Sequence, residues 1–243
     1  MKSIQLLLCL LVMAGTLAAQ DKPEATEFYF PVPPVVTSGQ TMNTPPSDAI
    51  VLFDGSSTNE WAHQDRSAVK WTIEDGKHLV VKPGTGEIVS RREFGDIQLH
   101  LEFRTPAKVE GDGQNRGNSG VFLQGRYELQ ILDNYENKTY TNGQVGSVYK
   151  QSVPLANPSR KPGEWQTYDI VFTAPRFNDD GIRIAPGHVT ALLNGVLVQN
   201  HTMILGTTEY IGQPKNIAHG KAPLILQDHG NPTAFRNIWV REL

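Results

Sequence analysis

Glu128 and Gln130 stand two residues apart in GRYELQILD (125–133), and Arg126 precedes them at the same spacing. Tyr127, Leu129 and Ile131 fill the positions between. An alternation of period two marks a strand with one face in a core. The other face then carries a guanidinium, a carboxyl and an amide in a row. Each of these groups can bond two neighbouring hydroxyls, so the face suits a polyol better than bulk water.

Two further segments repeat the pattern. In DIQLHLEFR (96–104), Ile97, Leu99, Leu101 and Phe103 alternate with Gln98, His100, Glu102 and Arg104. In PLILQDHG (223–230), Gln227 and His229 share a face with Ile225, opposite Leu224, Leu226 and Asp228. His229 stands at a strand end before Gly230-Asn231-Pro232, where sites gather, and an imidazole exchanges protons near neutral pH. Taken singly, a pair such as Glu102 and Arg104 is an ordinary surface ion pair worth about 1 kcal/mol at most. Together, the three faces predict one polar cleft. Sugars fit such a cleft: planar amides, carboxylates and guanidiniums hold their hydroxyls, and aromatic rings cover their apolar faces. Tyr135 and Tyr140, in the polar stretch after Asp133, are placed to stack on a ring. The glycine-rich loop 108–120, with Asn118, reads as an edge loop beside the site, and its spacing is not that of a calcium loop. Glu102, Glu128 and His229 could also hold a divalent metal, although no spacing signature demands one.

The elements that must position these residues are short strands. VKWTIEDGKHLVV (69–81) and VTALLNGVLVQN (189–200) each place an Asp-Gly or Asn-Gly pair between apolar runs, the mark of a hairpin. EWQTYDIVFTAP (164–175), SGVFLQG (119–125) and AFRNIWVREL (234–243) supply more strands, and strict alternation puts Arg236 and Asn237 on opposite faces of the last. No long stretch shows helical spacing. The expected fold is an all-β, two-sheet antiparallel jelly-roll sandwich over residues 48–243.

Residues 1–19 combine one early lysine, an apolar run and small residues at Ala18 and Ala19, the layout of a cleaved secretory signal. The run is too short to span a bilayer. Residues 20–47 are rich in Pro, Ser and Thr and read as an extended segment, with Phe28, Tyr29 and Phe30 available to pin it. The single cysteine, Cys9, lies in the leader, so the mature chain has no thiol and its stability must come from its core. An exported chain of this kind is expected in the periplasm or medium. The formal net charge is −3, and −4 without Lys2, with no basic stripe for nucleic acid.

Four segments carry a resemblance: IVLFDGSSTNEW (50–61), GNSGVFLQGRYELQILDNY (117–135), EWQTYDIVFTAPRF (164–177) and LILQDHGNPTAFRNIWVREL (224–243). In order and spacing they resemble the 3-keto-disaccharide hydrolase family. The resemblance implies a concanavalin-like jelly roll related to retaining β-glucanases. It also implies an exported enzyme acting on glycosides already oxidised at C3, and hence an upstream sugar 3-oxidoreductase as a partner in sequence. Retaining β-glucanases carry carboxylates at alternate strand positions, Glu-x-Asp-x-Glu; here the run is Glu128-x-Gln130-x-Leu132, with Asp133 displaced. A retaining mechanism needs two carboxyls about 5–5.5 Å apart, which leaves Glu128 dependent on Glu102 from another strand.

A 3-keto sugar needs no such pair. Its ketone acidifies the C2 proton, so a base, an acid for the leaving group and donors for the enolate oxygen suffice. On this reading His229 and Glu128 are the acid–base pair. Arg104 or Arg126, with Gln130 and Gln227, hold the ketone and hydroxyls, and Glu102, His100, Asn118 and Tyr135 complete the substrate contacts. Two other readings fit the same residues: an ordinary glycoside hydrolase acting on unoxidised β-glucan through Glu102 and Glu128, and a carbohydrate-binding module without catalysis.

Overall fold

The computed structural model describes residues 22–41 and 43–243. The expected signal, its cleavage after Ala19 and Cys9 lie outside them. The apolar alternation becomes strands where it was expected. In chain order these are β1 (Ile50–Phe53), β2 (Trp61–His63), β3 (Thr72–Glu74), β4 (His78–Val80), β5 (Ile88–Phe94), β6 (Ile97–Arg104), β7 (Ser119–Leu123) and β8 (Tyr127–Ile131). There follow β9 (Gln166–Thr173), β10 (Arg176–Phe177), β11 (Arg183–Ala185), β12 (Gly187–Leu193), β13 (Val196–Ile204), β14 (Ala222–Leu226) and β15 (Ala234–Glu242). Both predicted hairpins form. Asn194 and Gly195 take φ of 52° and 77°, the left-handed values that a two-residue turn of matching twist requires. The pattern does not announce β5, because Arg91, Arg92 and Glu93 interrupt its apolar run.

The strands form a jelly-roll sandwich of two antiparallel sheets. The larger, of eight strands, runs β13-β12-β9-β6-β15-β4-β3, with β1 also on β15; the smaller runs β2-β5-β14-β7-β8. Their facing sides interlock through Leu99, Leu101, Phe103, Tyr168 and Phe172 from the larger sheet and Val121, Leu129, Ile131, Leu224 and Leu226 from the smaller. Burying such side chains contributes about 1.5–3 kcal/mol each, which is how a chain without disulfides among its described residues holds together. The polar side chains alternating with them must therefore emerge on the two outward faces of the sandwich.

Residues 22–35 form a separate unit with one 3-10 turn, Pro23–Thr26, and extended chain. Phe28, Tyr29 and Phe30, expected to pin this segment, are exposed. Residues 36–47 belong with the sandwich; Ser47 N–H donates to the Thr37 carbonyl at 3.0 Å.

Candidate functional site

The fold divides the three polar faces that the sequence suggested would share one cleft. β6 pairs with β9 and β15 in the larger sheet, whereas β8 and β14 belong to the smaller one. Glu102, His100 and Arg104 therefore project from one outward face, and Glu128, Gln130 and Gln227 from the opposite one, with the core between. This corrects two expectations. Glu102 cannot supply Glu128 with the carboxyl partner of a retaining glycosidase, and Glu102, Glu128 and His229 cannot share a metal ion. Among the described residues no group of three or more His, Cys, Asp or Glu is arranged to hold one.

On the smaller sheet, Asn118, Glu128, Gln130, Gln227 and His229 line one cavity of about 250 Å³ together with Phe122, Tyr149, Thr208 and Tyr210. Arg126 does not reach it. Gln124 and Gly125 have φ of 50° and 61°, so the turn ends before the alternation begins, and the Arg126 guanidinium donates back to the Gln124 carbonyl at 3.0 Å. Tyr135 also lies outside the lining. It follows the end of β8, where Arg116 donates to its carbonyl at 2.8 Å while forming a buried ion pair with Asp133 at 2.6 Å. Tyr140 stands behind Tyr149, hydroxyl to hydroxyl at 2.6 Å.

Glu128 is the centre of the cavity. Only 5% exposed, its carboxyl makes no hydrogen bond or ion pair with any described side chain, and burial pushes its pKa up to about 8. At neutral pH it therefore keeps its proton and can give it to a ligand. Gly120, which pairs with Gln130 and so lies diagonally across from Glu128 on β7, makes this position available: a Cβ there would stand 2.6 Å from the Glu128 carboxyl oxygen Oε1.

The amides beside it are oriented by a backbone carbonyl. Gly143 O can only accept, so Gln114 turns its Nε2 there, at 2.8 Å, and its Oε1 to Gln130. Gln130 must then donate Nε2 to that oxygen, at 3.0 Å, which leaves its own buried Oε1 without a partner. Gln227 Oε1 is likewise buried and unpartnered. An orphaned buried acceptor costs about 1–3 kcal/mol, a penalty that a ligand hydroxyl would relieve. The cavity thus offers a carboxyl donor between two amide acceptors, with the exposed His229 on its rim.

The wall comes from loops. Residues 146–149 pair with the free edge of β8, Tyr149 N–H donating to Glu128 O at 3.1 Å, and this puts the Tyr149 ring over the cavity. Burial first, and then its bond to Tyr140, holds the Tyr149 phenol above its ordinary pKa. Thr208 accepts from Glu128 N–H at 2.9 Å. Lys150 links the wall to Tyr210, donating to its carbonyl at 2.6 Å with Nζ 4.4 Å from the ring centre. Sequence reasoning missed Gln114, Tyr149, Thr208 and Tyr210 because loops carry no periodicity. Phe122 was legible, since it shares the outward parity of Gly120 on β7.

The opposite face is built differently. Glu102 accepts from Arg236 at 2.7 Å and from Asn237 at 3.0 Å, and His100 bonds Asp169 at 2.7 Å. Asn237 has φ 47° and lies in a bulge between Arg236 and Trp239, which brings both Arg236 and Asn237 to Glu102 although alternation placed them on opposite faces. Burial alone would raise the Glu102 pKa, but His100, Asn237 and Arg236 outweigh it and hold it at about 2. Trp239 stacks on His100 at 5.1 Å. Arg104 lies 4.8 Å over the Trp165 ring, on the far side of the molecule from Glu128. These groups bond one another.

Comparison with known proteins agrees with this architecture. A candidate glycosyl hydrolase of Parabacteroides distasonis ATCC 8503, known from its crystal structure, superposes with a TM-score of 0.87 at 52% identity, over 91% of this chain and 97% of that one. A second crystal structure of a candidate glycosyl hydrolase from the same organism, 20% identical over 80% of this chain and 94% of that one, shares the fold at a TM-score of 0.57. No curated protein matches. The sequence matches the 3-keto-alpha-glucoside-1,2-lyase-like domain over residues 48–241. These relationships place the chain among carbohydrate-active enzymes. The chain belongs to the family defined by the 3-keto-alpha-glucoside-1,2-lyase-like domain.

Proposed function

We propose that the protein cleaves the glycosidic bond of 3-keto-glycosides by elimination, outside the cytoplasm. The observation that carries this reading is Glu128, a buried carboxyl that faces a cavity, lacks a partner among the described residues and has a pKa raised to about 8. Such a group is a proton donor. With no second carboxyl lining the cavity, it lacks the pair on which ordinary retaining or inverting hydrolysis relies.

Elimination asks less of the protein. His229 takes the C2 proton, whose bonding pair moves toward C3 as the ketone becomes an enolate. The enolate re-forms the ketone and expels the C1 oxygen, which takes its proton from Glu128. Water then adds to the unsaturated sugar, and the net reaction is hydrolysis. Gln130 and Gln227 accept hydroxyl protons of the ring, and the Tyr149 hydroxyl and the Gln227 amide, both in the lining, donate to the enolate oxygen. A general acid or base of this kind contributes about 10²–10⁴-fold.

The test offers a disaccharide and its 3-keto derivative to the wild type and to His229→Ala. Cleavage of the keto form alone is expected, with a loss of about 10²-fold or more in the variant. His229 is exposed and unbonded, so its removal should leave stability within about 0.5 kcal/mol. An unchanged rate removes His229 from the mechanism. Cleavage of the parent disaccharide would point to ordinary hydrolysis, and binding without product to a carbohydrate-binding module.

A further inference from the structure

We propose that the site continues across the smaller sheet and that the second ring of a glycoside binds over Glu87 and Gln64. This rests on the reading of the Glu128 cavity as a sugar site. At about 250 Å³ that cavity lies below the range of about 300–1,000 Å³ usual for larger ligands, so a two-ring substrate must extend beyond it.

The register sets the direction. Gly120 pairs with Gln130, and Gln227 N–H donates to the Gly120 carbonyl at 3.0 Å. Leu226 and His63 both pair with Ile88, so one step further along the strands Gln227, Glu87 and Gln64 fall into the same row. With neighbouring strands about 4.8 Å apart, the row from Gln130 to Gln64 runs about 19 Å across all five strands. At the β8 end it is closed by residues 146–149 and Tyr149. At the other end it opens into a second cavity of about 430 Å³, lined by Gln64, Lys70, Glu87 and Asp228 among others.

The side chains there separate into framework and free groups. Asp228 accepts from Gly86 N–H at 3.0 Å and Gly230 N–H at 2.9 Å, and so fastens the loop carrying His229 to the start of β5. His63 accepts from Lys70 N–H at 3.0 Å and donates to the Glu87 carbonyl at 3.0 Å, so both its ring nitrogens are used. Glu87 and Gln64 bond each other side by side. A carboxyl beside an amide leaves an acceptor on each for neighbouring hydroxyls, and the exposed Lys70 adds a donor. Burial leads the causes that lift the Glu87 pKa, with Asp228 adding to it, as for a group partly withdrawn from water.

The experiment compares a 3-keto-disaccharide with methyl 3-keto-glucoside, which has no second ring, on wild type, Glu87→Ala and Gln64→Ala. Each variant should raise KM for the disaccharide about tenfold, the upper end for the loss of one neutral hydrogen bond. The methyl glycoside should respond less than twofold. Equal effects on both substrates, or none on either, overturn the subsite. Gln64 is exposed, so its variant tests the proposal even if Glu87→Ala folds poorly. Failure of the wild type to cleave either substrate would count against the keto-sugar reading alone. Calorimetry with the unoxidised disaccharide and methyl glucoside would then decide the subsite: tighter disaccharide binding that both variants abolish upholds it, and equal binding of the two sugars overturns it.

Discussion

Glu102 and Glu128 are both 5% exposed, both lie at outward positions of a strand, and both alternate with core residues. Their pKa values differ by several units, about 2 against about 8. The difference lies in their neighbours. Glu102 has Arg236, Asn237 and His100 around it, and the outward face of the larger sheet spends its charges on itself. Glu128 has Gly120, Phe122 and a cavity. A buried carboxyl with a full set of partners is held as an anion and stiffens the sheet; one facing empty space stays protonated and is available to a ligand. Burial alone would not have distinguished structure from chemistry here.

The sharpest way to break this comparison is Glu128→Gln. Turnover of a 3-keto-glycoside should fall about 10²–10⁴-fold because the amide cannot give up a proton. The melting temperature should stay level or rise, since a desolvated acid is replaced by a neutral group of the same shape. Equal activity in the variant would make Glu128 a wall residue. Glu102→Ala should do the reverse. It strands Arg236 and His100 and should cost about 3 kcal/mol in denaturant unfolding, the low end for a buried ion pair because Arg236 is partly exposed, while kcat changes less than twofold.

The pH dependence separates the two carboxyls again. From an ordinary value of 4.5, the folded Glu128 pKa is raised to about 8, so between those values the folded state holds a proton that the unfolded state has lost. Stability therefore falls as pH rises through this window, by at most about 1.4 kcal/mol per pKa unit, and Glu128→Gln should abolish that slope. Glu102 is lowered from 4.5 to about 2, so its contribution is complete above 4.5 and lost as pH falls toward 2. Unfolding curves at about pH 3, in the Glu102 window, and at about pH 5 and 8, which span that of Glu128, check the two opposite signs for both variants. Activity should decline above about pH 8, where Glu128 loses its proton.

Much of the smaller-sheet site was legible in the sequence. The alternation in GRYELQILD placed Glu128 and Gln130 on the face away from Tyr127, Leu129 and Ile131, and PLILQDHG set Gln227 and His229 on one side. Arg126 went wrong because a turn with two left-handed residues interrupts the period just before β8. Asn237 went wrong because a bulge adds a residue to one side of a ladder, which alternation cannot foresee. Tyr149, Thr208 and Gln114 had no local signal, since their positions depend on loops docking onto strands distant in sequence.

The sequence by itself determined most of the strands, the two hairpin turns and which residues of the regular strands face the core, because a period of two and left-handed turn residues are properties of neighbouring positions. Only the tertiary structure decided that β6 lies in one sheet and β8 and β14 in the other, and with that the fate of each carboxyl. Strand pairing is settled by contacts between residues far apart in the chain: Glu102 opposite Arg236, Glu128 beside Gly120. Those contacts, not the local pattern, fix the charge that each carboxyl carries.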